Sequence, residues 1–516
     1  MAIFFLNLIV RYVGLSKNQL KTPVLQPGDE NRPGALAAIF DLENWYRTLR
    51  DIRFLIVLGG VQLYGTIQVR LAVPDAVMAY LVHQCQQANS LINSTIYAIK
   101  QAHFADCPRK TFFDDDGMFR TTFKLRTVKA SYPDLWKQMK DSSHYSVLGG
   151  QCAQQTLKGV AESFASFNQL LKGFFRGEGT RPRMPRYRKK GGLAPITFPA
   201  QPLKFDSETG ACRLTISVEN KQFVFDEFGL SEIWINGCHG IRWEQIVEVR
   251  ILPRNGCFYA EYVYKGQDYK SDVDPTSALG IDPGLNNWLT CVSTEGKSFL
   301  LDGRKLKSIN QWYNKQVAKL KEGKPQGFWS NELATITEKR NRQVRDGVNK
   351  AARFVINYCL SHKLGTVVFG WNQRNKDSIS IGKRSNQNFV QVPTARLKNR
   401  IAQLCEQYGI QFVETEESYT SKCSFFDRDV LPVFGGEKPA NWKPSGRRVQ
   451  RGLYKAGNGV QINADCNGAA NILRKVASRL GISLVEIGRE SLTAPKRYDL
   501  FSNLKRSYRK RCVARL

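Results

Sequence analysis

The fold is decided by one stretch of the chain, Ala278-Leu279-Gly280-Ile281-Asp282-Pro283-Gly284-Leu285-Asn286-Asn287-Trp288-Leu289-Thr290-Cys291-Val292. Apolar residues before Pro283-Gly284 and strand-forming residues after it predict two strands joined by a tight turn. One carboxylate, Asp282, stands where the first strand gives way to the turn. A rigid sheet that fixes a carboxylate there suits it to holding a divalent metal, together with acidic residues from later elements. The alternative interpretation is that Asp282 only caps the turn, a common role for Asp.

The composition is that of a folded protein with a polyanionic partner. A length of 516 residues predicts roughly two to four domains. A hydrophobic content of 42% fits a globular chain. The net charge of +31 is too large for an enzyme that acts on neutral metabolites, and it indicates nucleic acid as the partner. An anionic membrane surface is the weaker alternative, because the sequence shows no long basic amphipathic helix.

Twelve cysteines are scattered singly along the chain, with no Cys-x-x-Cys pair. This usage indicates buried thiols in a reducing compartment, so a cytoplasmic location is expected. The apolar run over residues 1–10 lacks the preceding basic segment and the cleavage site of a signal peptide. The run is also too short to cross a membrane, and no membrane partner is expected.

The first half of the chain passes from helical to β patterns. A strand is predicted at 66–71, and helices follow over 74–180. Residues 195–270 have strand patterns, including 214–218 and a hairpin turned at Asn255-Gly256.

Two basic regions are candidates for contact with a nucleic-acid backbone. The first is a run without acidic residues, whose charged members are Arg181, Arg183, Arg186, Arg188, Lys189 and Lys190. The second is a long helical region over 305–359, in which the candidates are Lys339, Arg340, Arg342 and Arg345. Such residues bind phosphates and release counterions. The alternative interpretations are a solvated loop and a solvated helix face.

The second half of the chain has the element order of a ribonuclease H-like fold. A three-stranded meander comes first, followed by basic helices and a short buried strand over 365–370. A helix, a strand over 410–417 and a last helix that begins near Asp465 complete the order. This order predicts a mixed sheet with carboxylates at strand ends and on a late helix. Such sites bind two Mg²⁺ ions through oxygen ligands, one to activate water and one to stabilise the leaving oxygen.

Three segments resemble the TnpB (OrfB) family of insertion sequences and occur in the family's order: Gly280-Ile281-Asp282-Pro283-Gly284, Tyr419-Thr420-Ser421-Lys422-Cys423-Ser424 and Asn463-Ala464-Asp465-Cys466-Asn467-Gly468-Ala469-Ala470-Asn471-Ile472. The resemblance covers residues 65–478 and is strongest after Leu279. It implies an RNA-guided nuclease related to the compact type V CRISPR effectors. The implied fold class is an α/β multidomain protein, with a helical recognition domain inserted in a β-barrel wedge domain and a following RNase H-like RuvC nuclease domain. The domain boundaries that follow are 1–64 for an N-terminal extension, 65–73 and 181–270 for the wedge, 74–180 for the helical domain, 271–478 for the nuclease domain with 418–462 in place of a zinc ribbon, and 479–516 for a basic C-terminal tail.

Two departures from the family pattern concern metal sites. The strand that usually ends in the second catalytic Glu ends here in Gly370-Trp371-Asn372, without an acid. Glu416 and Glu417 end the neighbouring strand, so one of them is expected to replace the missing Glu. Glu417 is preferred because it is closer to the Thr-Ser motif, and a solvated strand end is the alternative. The usual four-cysteine ribbon is reduced to Cys423 and Cys466, so no structural zinc is expected.

The resemblance implies catalysis by Asp282, Asp465 and either Glu417 or Glu416. Asp282, Glu417 and Asp465 are then expected to hold Mg²⁺ or Mn²⁺, with a guide RNA and a target DNA as partners of a monomer. The leading hypothesis is a transposon's RNA-guided DNA endonuclease with a two-metal mechanism. Two alternatives stay open: a nuclease-inactive RNA-guided DNA-binding protein that acts as a repressor, and a transposase that acts directly on DNA. The transposase is weakened because the sequence shows no separate DNA-binding domain of a recognisable type.

Overall fold

The computed structural model describes residues 64–113, 115–266, 269, 271–372 and 392–501, and its first half joins helices to small sheets. The N-terminal extension expected over 1–64 lies outside these residues, apart from Tyr64. The elements of the first half are β1 (Tyr64–Arg70), α1 (Asp75–Ala105), β2 (Arg109–Phe113), β3 (Phe119–Phe123), α2 (Tyr132–Met139), α3 (Ser143–Leu148), α4 (Gly150–Phe175), β4 (Ile196–Pro199), β5 (Lys204–Phe205), β6 (Cys212–Leu214), α5 (Lys221–Phe228), β7 (Ile233–Ile235), β8 (Ile246–Arg254) and β9 (Cys257–Lys265). Short 3₁₀ helices lie at Val218–Asn220 and Trp243–Gln245.

Strands β2 and β3 pair with each other as a hairpin, and the other strands of the first half form two sheets over one core. One sheet has the order β1-β9-β8-β4 and the other β5-β6-β7. Ile233 of the second sheet, Val249 of the first and Leu81 of α1 belong to the same buried cluster. Because β1 pairs with β9, the helices of 75–175 are inserted between strands of one sheet. The resemblance implies a β-barrel wedge domain in this region. In the described residues its strands form these two sheets, and β5, β6 and β7, each two or three residues long, pair only with one another.

The prediction of a strand over 214–218 is wrong. Strand β6 ends at Leu214, and α5 begins at Lys221. The rings of Phe223 and Phe228 lie 5.6 and 5.7 Å from the imidazole of His83 on α1. Packing against α1 therefore outweighs the local strand preference of this segment.

The second half builds a six-stranded sheet covered by helices. Its elements are β10 (Asp274–Pro283), β11 (Asn287–Ser293), β12 (Ser298–Asp302), α6 (Arg304–Lys321), α7 (Asn331–Ser361), β13 (Leu364–Gly370), α8 (Thr394–Gln407), β14 (Gln411–Thr415), β15 (Arg447–Gln450), β16 (Leu453–Lys455), β17 (Gln461–Asn463), α9 (Ala464–Leu480), α10 (Arg489–Thr493) and β18 (Lys496–Tyr498). The sheet order is β14-β13-β10-β11-β12-β18, with an antiparallel β10-β11-β12 meander and with β13 and β14 parallel to β10. The fold class is therefore mixed α/β. The carboxyl ends of β10, β13 and β14 meet at one edge of the sheet.

Alternation along β10 decides which face carries Asp282. Leu279 and Ile281 lie in the core that α7 and α8 cover, whereas Ala278 lies in the core beneath α9. Since successive side chains of a strand point to opposite faces, Gly280 and Asp282 share the face of Ala278. Asp282 therefore faces α9.

The basic tail expected over 479–516 is corrected in its first part. Strand β18 pairs in parallel with β12 and extends the sheet. The ring of Tyr498 lies 4.6 Å from that of Phe354, and Phe501 is buried in the same core. Residues 502–516 lie outside the described part of the chain. Among the described helices, none is both long and apolar enough to cross a bilayer.

Candidate active site

Asp282 lies directly beneath helix α9. A Cβ atom at Gly468 would stand 2.7 Å from Oδ2 of Asp282, so this contact requires a glycine. Burial raises the pKa of Asp282 well above its ordinary value, and the carboxylates of Glu417 and Asp465 raise it further. Arg448 acts in the opposite direction. The structure thus brings together three acidic side chains from a strand end, a loop and a helix.

Glu417 takes the space beside the end of β13. Strand pairing continues one residue past the end of β13, since the N–H of Trp371 donates to the carbonyl of Thr415 at 2.8 Å. The Asn372 side chain then accepts a hydrogen bond from the N–H of Glu417 at 2.9 Å. A Cβ atom at Gly370 would lie 2.9 Å from Cγ and 3.2 Å from Oε1 of Glu417. Burial raises the pKa of the Glu417 carboxyl to about 7.

Glu416 is held away from this cluster. Its carboxylate accepts a hydrogen bond from Lys475 Nζ and a second one from the N–H of Phe434 at 3.3 Å. Burial alone would raise the pKa of Glu416, but hydrogen bonds from Lys475 and Ser418 outweigh it and lower the pKa. Of the two glutamates, it is Glu417 that shares an environment with Asp282.

Asp465 is presented by the first turn of α9. The side chain of Asn463 caps the helix by accepting from the N–H groups of Asp465 and Cys466, at 3.0 and 3.1 Å. Asn287 Nδ2 donates to Oδ2 of Asp465 at 2.7 Å, and Arg448 Nη2 lies 3.3 Å from Oδ1. Both oxygens of this carboxylate therefore have protein partners.

Two buried asparagines of α9 fix the loop that follows Glu417. Asn467 Nδ2 donates to the carbonyl of Cys423 at 2.8 Å, and Asn471 Nδ2 donates to that of Thr420 at 2.9 Å. The hydroxyl of Thr420 donates in turn to the carbonyl of Glu417 at 2.8 Å. The helix that presents Asp465 thus also anchors the loop that presents Glu417.

Carboxylates cross-link the segment 418–462. Asp427 Oδ2 accepts from the hydroxyl of Ser445 at 2.8 Å and from the N–H of Gly457 at 2.6 Å. Asp429 Oδ2 accepts from the N–H groups of Ser424 and Ser445, at 2.7 and 3.0 Å. These bonds join parts of the segment that are 16–30 residues apart in all but one case. They do so at the place where members of the family that the chain resembles usually carry a zinc ribbon.

A cleft of about 440 Å³ opens beside Asp282 and Asp465, and it is lined by cations. Its arginines are Arg304, Arg448, Arg451 and Arg497. Arg304 and Arg497 are paired with Asp302. Arg448 is paired with Asp465. Arg451 forms no salt bridge within the described residues, so it is the cleft cation most available to an anionic ligand, and guanidinium groups suit a phosphodiester.

The donor chemistry of the cluster fits a hard divalent cation. Its ligating atoms would be carboxylate oxygens, which Mg²⁺ and Mn²⁺ prefer. Bringing Glu417 and Asp465 close to Asp282 raises the pKa of Asp282, so a cation placed among them would relieve repulsion. In the part of the chain that the structure describes, no three His, Cys, Asp or Glu side chains form a preassembled metal group. The oxygens of Asp465 are engaged by Asn287 and Arg448.

Most of the basic residues expected to bind nucleic acid are exposed. The eight exposed ones are Arg181, Arg183, Arg186, Arg188, Lys189, Lys190, Lys339 and Arg342. The guanidinium groups of Arg188, Arg340 and Arg345 also bind internal partners. Arg188 donates to Asn89 and Arg340 to Asn310, each at 2.9 Å. Arg345 donates to Gln68 at 3.1 Å and lies near Glu338, which ties α7 to β1.

Sequence reasoning missed Arg448, Asn287, Asn372, Asn467 and Asn471 as parts of this site. A signal existed for Asn467 and Asn471, because a spacing of four residues places both on one face of α9. No local signal marks Arg448 among its basic neighbours. Its proximity to Asp465 is created by the pairing of β15 with β16 and of β16 with β17, which leads into α9.

The fold and the carboxylate cluster define a mixed α/β protein with an acidic centre at the carboxyl ends of its sheet. Residues 261–376 match the family model OrfB_IS605, described as a probable transposase, and residues 395–472 match the Cas12f1-like TNB domain. The TnpB-like protein ORF457 of Acidianus two-tailed virus is 20% identical over 379 residues, which cover 67% of this chain and 76% of the relative. The chain is therefore similar to the TnpB (OrfB) family over these segments.

Solved structures similar to this chain include two CRISPR-associated proteins. One is a chain in the cryo-EM structure of a Cas12f1–sgRNA–target DNA complex, with a TM-score of 0.42 and 14% identity, covering 80% of this chain and 98% of that chain. The other is the mini-RNA-guided endonuclease CRISPR-Cas_phi3, with a TM-score of 0.36 and 10% identity, covering 80% of this chain and 92% of that chain.

Proposed function

We propose that this protein is an RNA-guided DNA endonuclease whose RuvC-like site is formed by Asp282, Glu417 and Asp465. The observation that carries the proposal is the position of Glu417. Its side chain fills the space over Gly370 and raises the pKa of Asp282. A third carboxylate thus stands beside the strand end that lacks an acid of its own. The cofactor would be Mg²⁺ or Mn²⁺, held by these three side chains.

The chain's own residues have distinct tasks in the proposed hydrolysis. When bound, divalent cations would supply activation of water and stabilisation of the leaving oxygen. Asp282 is held by the sheet, and Glu417 by the loop that α9 anchors. Arg448 leaves Asp465 and binds the phosphodiester at the cleft, which frees Oδ1 of Asp465 for ligation. Asn287 keeps the Asp465 carboxylate oriented through Oδ2.

The proposed partners are a guide RNA and a target DNA. The similarity to the OrfB_IS605 model and the net charge of +31 support a polyanionic ligand. In the guided mode, base pairing with the RNA reads the sequence while the protein holds backbones. A cytoplasmic location stays part of the proposal, and the eleven cysteines in the described residues are buried and unpaired, in keeping with a reducing compartment.

One observation favours a second candidate, a guided DNA-binding protein without cleavage. Both oxygens of Asp465 are engaged by Asn287 and Arg448, and these contacts would be retained in a protein that never loads metal. The two candidates make opposite predictions for cutting and the same prediction for binding.

The experiment is cleavage of a guide-matched plasmid by the purified protein–RNA complex, with Mg²⁺ or Mn²⁺ present. The unmodified protein should cut. Asp282→Ala removes a direct ligand, so it should bind the same DNA without cutting it. Binding without cutting by the unmodified protein would favour the second candidate. Unchanged cutting by Asp282→Ala would refute the assigned site.

A further inference from the structure

The basic segment, residues 181–190, is attached to helix α1 by hydrogen bonds from side chains of the helix to the backbone of the segment. Asn93 Oδ1 accepts from the N–H of Arg188 at 2.8 Å, and Asn93 Nδ2 donates to the carbonyl of the same residue at 3.1 Å. One asparagine amide thereby satisfies both main-chain groups of one residue. A loop that only carried charge would not need such a contact.

A second asparagine, one helical turn earlier, completes this attachment. Asn89 is 2% exposed, and its Nδ2 donates to the carbonyl of Lys189 at 3.0 Å. Its Oδ1 accepts from Nε of Arg188 at 2.9 Å. On either side, Met184 packs on a buried cluster and the N–H of Ala194 donates to the carbonyl of Cys85 at 2.9 Å. The segment is therefore held at Met184 and at Arg188 and Lys189, and the chain is held again at Ala194, just after the segment ends.

The attachment leaves a row of cations facing solvent: Arg181, Arg183, Arg186, Lys189 and Lys190. Within the described residues, none of these five charges takes part in a salt bridge. Unpaired like charges fixed side by side repel one another. Their arrangement is favourable only when a polyanion lies along them.

A groove of about 350 Å³ runs between the basic segment and α4. The segment contributes Arg186 and Arg188, and α4 contributes Gln155, Thr156, Gly159, Val160 and Ser163. Gly159 has no side chain, so the helix backbone is open to close approach at that position. A Cβ atom at Gly159 would meet nothing within 4 Å, so this position faces free space.

We propose that this groove binds the phosphodiester backbone of a nucleic acid, and that Asn89 and Asn93 are positioning residues that preorganise its basic wall. The inference rests on the proposed function, because it names a surface that holds the polynucleotide. Ordering a flexible loop at the moment of binding costs affinity, and a segment already fixed by two asparagines avoids that cost. The asparagines thus act without contacting the ligand.

Gly159 offers a matched pair of variants with opposite charge. Gly159→Lys and Gly159→Glu both replace a helix-interior glycine by a good helix former, so both should fold at least as well as the unmodified protein. Affinity would be measured by fluorescence anisotropy in EDTA, with a labelled single-stranded RNA, the same sequence as DNA, and their hybrid duplex. The arm that Gly159→Glu weakens most identifies the strand that occupies the groove. We expect Gly159→Glu to weaken that arm on the order of tenfold, and Gly159→Lys to match or exceed the unmodified protein.

Asn93→Ala tests preorganisation, because it keeps every charge. It should lower the affinity at all salt concentrations on the order of tenfold, since the loop must then be ordered on binding. The slope of log K against log[salt] should stay unchanged. The contrasting double variant Arg181→Ala/Arg183→Ala removes two charges and should reduce the duplex slope by up to about 1.8.

The failures are distinguishable. If the unmodified protein bound none of the three probes in a salt-dependent way, the proposed function itself would be wrong. If it bound them but Gly159→Glu and Asn93→Ala bound equally well, the groove would be refuted while the proposed function stood. A changed salt slope in Asn93→Ala would mean that this residue affects phosphate contacts directly, and preorganisation would be wrong.

Discussion

The substitutions Glu417→Gln and Glu416→Gln are expected to change the stability of the metal-free protein in opposite directions. Glu417→Gln keeps the size of the side chain and removes a charge that the fold disfavours. Burial raises the pKa of Glu417 from 4.5 to about 7, which corresponds to about 3 kcal/mol of destabilisation when the carboxyl is ionised. Glu416→Gln removes a charge that Lys475 stabilises, and it should cost about 1 kcal/mol.

The pH dependence gives the sign of each effect. The pKa of Glu417 is raised in the folded state. The destabilisation by its ionised carboxylate is therefore absent below the unfolded pKa and grows as pH rises toward 7. The pKa of Glu416 is lowered, so its contribution is present above the unfolded pKa and is lost as pH falls through the folded pKa. Glu417→Gln should therefore stabilise at pH 8 and have little effect near pH 4.

The assay is thermal unfolding in EDTA at both pH values. At pH 8, Glu417→Gln should raise Tm on the order of 5 °C, whereas Glu416→Gln should lower it. Added Mg²⁺ should raise the Tm of the unmodified protein, since a ligand stabilises the state that binds it, and should do so less for Glu417→Gln. A lower Tm for Glu417→Gln in EDTA at pH 8 would refute the reasoning, because its carboxylate would then be stabilising without metal.

Two further predictions concern the surroundings of the site. Gly370→Ala places a Cβ atom 2.5 Å from Cδ1 of Ile472 and 2.9 Å from Cγ of Glu417, so it should destabilise by about 1–3 kcal/mol and slow cleavage. Unchanged Tm and cleavage rate would contradict the close contact. Asp427→Ala removes acceptors for Ser445 and Gly457, so hydrogen exchange within 418–462 should accelerate while a zinc chelator leaves the unmodified protein unchanged. Faster exchange on chelation would show that a metal holds this segment.

The meander around Asp282 could be predicted because its signals are local. Strand-forming residues flank Pro283-Gly284, and the structure pairs Asp282 with Thr290 across the turn. Asp465 could be placed on a late helix for a similar reason, since Asn463 and the small residues after it mark a helix start. Both predictions needed only short-range pattern and a resemblance in motif order.

The choice between Glu416 and Glu417 could not be settled by such patterns. Strand β14 ends at Thr415, so the alternation of the strand does not extend to either glutamate. Their directions are set by Asn372 and Lys475, which lie 45 and 59 residues away in sequence. Because these partners are so distant along the chain, local sequence patterns could not show which of the two glutamates faces Asp282.

Strand β18 was missed for a related reason. Its sequence, Lys496-Arg497-Tyr498, is short and mostly charged, so it carries little strand signal of its own. It becomes a strand because β12 offers a free edge and Tyr498 packs on Phe354. Edge strands of this kind are specified by the sheet they join.

The central claim is that Glu417 supplies the carboxylate that the strand before Trp371 lacks. Its most direct test is the rate of cleavage of guide-matched DNA by the protein–RNA complex in Mg²⁺, measured for Glu417→Gln and Glu416→Gln side by side under single-turnover conditions. Glu417→Gln should bind the target and fail to cut it, whereas Glu416→Gln should cut at close to the unmodified rate. Cutting by Glu417→Gln at the unmodified rate, or loss of cutting in Glu416→Gln alone, would contradict the account.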